Sequence, residues 1–244
     1  MWKNRQIGRE MISMKRVAKK EMIGEQGQSK PQMKVLVFAS LSQTIEHSQR
    51  AVEEAKQYAL DWKRVCLVDW DFMASTIARL AKPDQVAEDS LNDYLLYPEG
   101  TLPSGKKRRV KNCLSSFGVF DTRRVSLLLP SLEKYNDVVS VQRLVGLEER
   151  TFILCRSLER ILMELQMAQF DVVIINLSPA HNVFLELFAG LIGGEYQNEG
   201  GLWDNDFGLI RGAEIYMLLA LDDEALFAQF IERYKEAAQK IIKI

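Results

Sequence analysis

Residues 34–71 read KVLVFASLSQTIEHSQRAVEEAKQYALDWKRVCLVDWD, and the pattern in this stretch decides the fold. Lys34–Ala39 is a short apolar run suited to a buried strand. Arg64–Asp69 is a second run, ending in an acidic pair, Asp69 and Asp71. Between them Ile45, Val52, Ala55 and Ala59 recur at helical spacing and define one narrow apolar face. Strand, helix and strand in that order are the crossover unit of a parallel sheet. In open sheets of this kind ligands sit beyond the carboxyl ends of the strands. Residues 40–48 and the Asp69/Asp71 end are therefore where a site is expected.

Outward from this unit the alternation continues. Runs at 125–130, 171–177 and 214–221 read as further strands. Helical patterns cover Thr76–Leu80, Asp84–Tyr97, Glu148–Gln169, Asn182–Leu191 and Asp222–Lys240. In the long helix, Phe152, Leu158, Ile161, Leu162 and Leu165 form the inner face. The alternation predicts a single α/β domain over residues 34–244: three layers, a mainly parallel central sheet with helices on both faces. Gly193–Asp206 is a polar insertion in which Trp203 reads as an interface anchor or a lid contact.

Composition excludes several classes. The 244 residues carry a formal net charge of −1, which gives no global pull toward nucleic acid or anionic membrane. Cys66, Cys113 and Cys155 have no paired spacing; with only two histidines, a zinc site is not expected, and a reducing cytoplasm is. The longest apolar run, Val183–Ile192, is too short to span a bilayer, and residues 1–33 are too polar for a signal peptide.

Two stretches carry local positive charge. Residues 1–33 form a basic extension with Arg9, Lys15, Arg16, Lys19 and Lys20, and with Ile7, Met11, Met14 and Val17 as a thin apolar stripe. A helix within Arg5–Lys20 would offer that face to a partner groove, an acidic surface or a membrane, or pack on its own domain. Gly24–Pro31 reads as the linker. The second stretch, PEGTLPSGKKRRVKN, reads as a surface loop or hairpin ending in Lys106, Lys107, Arg108, Arg109 and Lys111. It is either a solvated face or a contact for phosphate backbones, and Arg123 and Arg124 extend the same patch.

Residues 34–71, FDVVIINLSPAHN at 170–182 and GAEIYMLLALDDEAL at 212–226 together resemble the ParA/MinD-type (SIMIBI class) P-loop ATPases. That family opens with a strand, then Lys-Gly-Gly-x-Gly-Lys-Thr, then a helix, then a strand ending in Asp-x-Asp. The spacing fits if Ser42 stands at the signature lysine, Gln43, Thr44 and Glu46 at the glycines, His47 at the phosphate-binding lysine and Ser48 at the magnesium-holding threonine. Asp71, or less well Asp69, stands at the acidic position of the second strand. The phrase SLLLPS resembles the strand before the family's switch-like loop. Asn176 stands where the family's Walker B strand carries aspartate, and Ser178 replaces the first proline. Only Ile241–Ile244 is available for the family's last strand, at the adenine side. The resemblance implies a P-loop NTPase-like fold and pairing as sandwich dimers.

The chemistry of the motif is nearly gone. A phosphate cradle needs inward backbone N–H groups, which glycine permits, and a fixed positive charge. Residues 41–48 contain no glycine, His47 replaces the lysine, and Glu46 brings a negative charge to a phosphate-facing position. Ser40 with Gln43 makes a capping box, so residues 42–47 are expected to be the first turn of a helix whose dipole Glu46 satisfies. His181 beside Ser178 lacks the tight glycine turn of a nucleophile and reads as a cap of the next helix.

The expectation is a non-catalytic ParA/MinD-like pseudo-ATPase. It needs no ATP or magnesium and binds protein, either itself, an active paralogue or a larger complex, as a scaffold or regulator. Two alternatives stay open: an ATPase with an atypical loop using Ser48 and Asp71 on magnesium, and an adaptor docked to DNA or membrane through its basic segments.

Overall fold

The computed structural model describes residues 33–41, 45–72, 74–96, 100–131, 148–177, 182–193, 207–219 and 223–244, all within one compact unit, residues 33–244. The expectations on Ser42, Gln43, Thr44, Ser178, His181, Trp203 and the basic extension with Arg9, Lys15, Arg16, Lys19 and Lys20 lie outside the described residues.

Strands β1 (Lys34–Ser40), β2 (Val65–Trp70), β3 (Leu114–Phe120), β4 (Arg123–Leu128), β5 (Val172–Leu177), β6 (Glu214–Leu218) and β7 (Ile241–Lys243) form one sheet in the order β3-β4-β2-β5-β1-β6-β7. Every pairing is parallel except the β3–β4 hairpin at one edge. β1 and β5 are central neighbours, with Phe38 and Asn176 in register.

Both faces are covered, and strand alternation sorts the residues between them. Leu36, Phe38, Val65, Leu67, Val172 and Ile174 pack with helix α1 (Glu46–Leu60) and α2 (Thr76–Ala81). Val35, Val37, Cys66, Val68, Val173 and Ile175 face the opposite layer. That layer includes α3 (Leu91–Leu96), α4 (Glu148–Met167), α5 (Asn182–Gly193), α6 (Gly208–Arg211) and α7 (Glu224–Arg233). In α4 Leu158, Ile161, Leu162 and Leu165 are buried, as their spacing predicts. Cys66, Cys113 and Cys155 are buried free thiols. A β-carbon on Gly193 would meet Ala237 N and Glu236 Cβ at 3.3 Å, so glycine lets α5 close on the 3-10 turn Lys235–Lys240.

The apolar face of α1 is wider and shifted relative to its expected set. Val52, Ala55 and Ala59 are buried, but Ile45 is 51% exposed, and Ala51, His47 and Ser48 fill the interface. Ile45 lies at the N-cap position, before the turn that faces the sheet. α1 closes with Trp62 N–H donating to Ala59 O at 3.2 Å and Lys63 N–H to Tyr58 O at 3.0 Å. That pair of bonds is a Schellman motif, with Trp62 at φ 62° in the left-handed position.

Several expected bounds move. The second and fourth strands run 65–70 and 123–128 instead of 64–69 and 125–130. The helix expected over Asp84–Tyr97 is only Leu91–Leu96, because Gln85 bridges Ser116 and adds itself to the edge of β3. The final helix ends at Arg233. The last strand does form: Ile241–Lys243 pairs parallel with β6 through Ile215, Tyr216 and Met217, although it is only three residues long.

Candidate functional site

The carboxyl ends of β1, β2 and β5 converge with the first turn of α1. Glu46 is its first residue and is exposed to solvent, while His47 and Ser48 turn inward and are buried. Ser40 is the last residue of β1 and no side chain caps Ile45 at the start of α1; the expected capping box also needs Gln43, which lies outside the described residues.

Three buried polar side chains form a ladder across the strand ends. The Ser48 hydroxyl donates to Asn176 Oδ1 at 2.9 Å, and Asn176 Nδ2 donates to Asp69 Oδ1 at 2.9 Å. Asp69 and Asn176 are register partners on β2 and β5, so the sheet itself sets this contact. His47 Nε2 lies 2.8 Å from the Leu177 carbonyl oxygen, which can only accept; the proton is therefore on Nε2. The same nitrogen lies 3.3 Å from Ser48 Oγ.

Both carboxylates are engaged as structural acceptors. Asp69 also accepts the N–H of Asp71 at 3.2 Å and, through Oδ2, the N–H of Ile77 at 3.1 Å. Asp71 accepts the Thr76 hydroxyl at 2.8 Å and the Ala74 N–H at 3.1 Å. Together they hold the start of α2 against the sheet. Thr76 is a member of this site that the sequence offers no signal for, since its role depends on a turn through Ser75 at φ 44°. Burial pushes the Asp69 carboxyl up to about 7, the Asn176 hydrogen bond opposes that, and the neighbouring Asp71 charge adds to it.

Magnesium and a nucleotide triphosphate require a fixed cation, a hydroxyl available to the metal and a charged carboxylate at the strand end. Residues 40–48 hold no lysine or arginine, the Ser48 hydroxyl donates to Asn176, and Asn176 is uncharged. Among the described residues no cluster of His, Cys, Asp and Glu could hold a metal ion.

The basic loop is pinned to the domain. Arg108 donates through Nε to Tyr94 O at 2.7 Å and lies 3.9 Å over the Tyr94 ring, while Lys106 pairs with Glu88 at 3.2 Å. Glu164 holds the same region, accepting Tyr94 OH and Val110 N–H at 2.9 Å. Lys107, Arg109 and Lys111 face solvent. Arg123 and Arg124 do not extend this patch. They begin β4, whereas the loop precedes β3, so the length of the antiparallel hairpin separates them. Arg124 instead pairs with Asp84.

No family model matches the chain, and no curated protein sequence does. Its structure is similar to that of cobyrinic acid a,c-diamide synthase from Mycobacterium smegmatis, solved with a bound ATP analogue and magnesium. That match has a TM-score of 0.51 at 16% identity, over 86% of this chain and 72% of that one. A plasmid partition protein from Borrelia burgdorferi matches with a TM-score of 0.48 at 13% identity, over 87% and 78% of the two chains. A ParA family ATPase from Chlorobium tepidum TLS matches with a TM-score of 0.49 at 12% identity, over 86% and 72%. The first of these matches shows the fold: the chain has a P-loop NTPase-like α/β fold, as the synthase does. Among the described residues no helix is long and apolar enough to cross a membrane.

Proposed function

We propose that this protein is a ParA/MinD-like pseudo-ATPase that acts by binding, as a scaffold or regulator within a larger protein assembly. The observation that supports this reading is the buried ladder Ser48–Asn176–Asp69, beside His47 bonded to Leu177 O. The residues aligned with the magnesium threonine and the Walker B aspartate satisfy each other. Freeing Ser48 for a metal would strand the Asn176 oxygen, at about 1–3 kcal/mol. Losing the lysine and two or three backbone donors removes roughly 5 kcal/mol more, over three decades of affinity.

Calorimetric titration with ATP and ADP, with and without magnesium, tests this. The expected result is no binding below millimolar concentration and no hydrolysis. Micromolar, magnesium-dependent binding would overturn it and favour an ATPase with an atypical loop. The basic extension, with Arg9, Lys15, Arg16, Lys19 and Lys20, is the proposed docking segment for the protein partner, whether a second copy, an active paralogue or another subunit. The three buried free thiols support a reducing compartment such as the cytoplasm.

A further inference from the structure

At the amino ends of β2 and β4, away from the ladder, lies a cleft of about 280 Å³. Its lining includes Lys63, Arg64, Arg123 and Arg124 and no carboxylate. The Arg123 guanidinium lies 3.9 Å from the Trp62 ring centroid and donates to Leu60 O at 2.8 Å. Across the β3–β4 turn Arg123 is the register partner of Phe120, so the two share a face. Trp62 is 74% and Phe120 67% exposed. An aromatic, a cation and an aromatic therefore stand in one row at the surface.

The charges around this row are unevenly spent. Arg64 lies 5.0 Å over the Phe170 ring and donates to Ala168 O at 2.7 Å. Arg64 and Arg123 are thus held by neutral carbonyls, which position a guanidinium without cancelling it. Arg124 is paired with Asp84. Asp171 accepts the backbone N–H of Arg64 at 2.7 Å, and Asp61 and Asp121 are exposed next to Trp62 and Thr122 in the chain.

Folding alone does not explain Trp62. It occupies the left-handed position after α1, where glycine is favoured, and it holds a large apolar ring in solvent there. Exposed aromatics interleaved with cations are the construction on which successive unpaired bases stack.

We propose that this face binds single-stranded nucleic acid, with bases on Trp62 and Phe120 and phosphates against Arg123, Lys63 and Arg64. The test uses the full chain and a labelled oligodeoxythymidylate of about 12 nucleotides at about 50 mM salt. Trp62→Gly relieves the left-handed strain, so its melting temperature should be unchanged or higher, while affinity falls about 5- to 150-fold. Phe120→Ala should weaken binding in the same way. Arg123→Gln should lower the slope of log affinity against log salt by about 0.7 for each phosphate no longer neutralised. Lys107→Ala with Arg109→Ala, in the other basic loop, should leave binding intact. The proposal fails if the wild type does not bind, or if Trp62→Gly binds like wild type. It also fails if the loop variant alone abolishes binding, or if polyglutamate of equal charge competes as well as the oligonucleotide.

Discussion

Ser48 donates its hydroxyl proton to the side-chain oxygen of Asn176 at 2.9 Å, across 128 residues of chain. The bond joins the first turn of a helix to the end of a strand whose own partner, Asp69, lies on the next strand over. Three elements meet through one amide, and each side chain is buried.

Truncating Ser48 to alanine should therefore cost more than removing a hydroxyl from a surface. The Asn176 oxygen would stay buried without its donor, at about 1–3 kcal/mol. Denaturant unfolding should show that loss as a lower midpoint with an unchanged slope.

Asn176→Asp would put a second carboxyl at this strand end, against Asp69, now 2.9 Å from the amide nitrogen. Two carboxyls in contact share one proton, so the variant should be destabilised by roughly 2 kcal/mol or more above about pH 8 and recover in acid. Thermal melts across that range check this.

Asp69 makes the wild type itself pH-dependent. Its carboxyl is raised from 3.8 to about 7 in the folded chain, so folding favours the protonated form. That contribution is full below 3.8 and is lost as pH rises toward 7. Stability should fall across this window by up to about 1.4 kcal/mol per pH unit. Asp69→Asn keeps an oxygen for Asn176 and should flatten the profile, measured as the difference between the two proteins at each pH.

Within the basic loop the charges should separate by role. Arg108→Ala removes the guanidinium from the Tyr94 ring and its bond to the Tyr94 carbonyl, and should cost about 1–2 kcal/mol. Lys107→Ala should be neutral within about 0.5 kcal/mol because that side chain faces solvent. Equal losses for both would contradict the pinned geometry.

Glu159 makes the last case. Its two carboxylate oxygens accept the N–H groups of Leu209 and Ile210 at 2.8 and 2.9 Å, capping the four-residue helix α6. Glu159→Gln would set an amide N–H against one of those donors and should cost about 2 kcal/mol. Hydrogen exchange at Leu209 and Ile210 should rise first, since their bonds are the ones broken.

The parallel core is legible in the sequence because its signals are local. Runs such as KVLVFA and VVIIN are apolar on both faces, which marks a strand buried between two helical layers, and the intervening 3.6-residue periodicity marks the crossovers. The absence of glycine and lysine between 41 and 48 is equally plain, as is the asparagine at 176. Strand β3 is not legible, because LSSFGVF is half exposed at an edge and carries Gly118, so it shows neither a continuous apolar run nor clean alternation. Gln85 pairs with that edge only once β3 exists, which is why its segment reads as helix from the sequence. The contacts that define both surfaces come from tertiary structure alone. Strand register brings Asn176 to Asp69, and hairpin register brings Arg123 beside Phe120 and under the reach of Trp62. A side chain's type says which bond it can make, but its partner is chosen by how distant backbones align, and that alignment follows from packing the whole sheet.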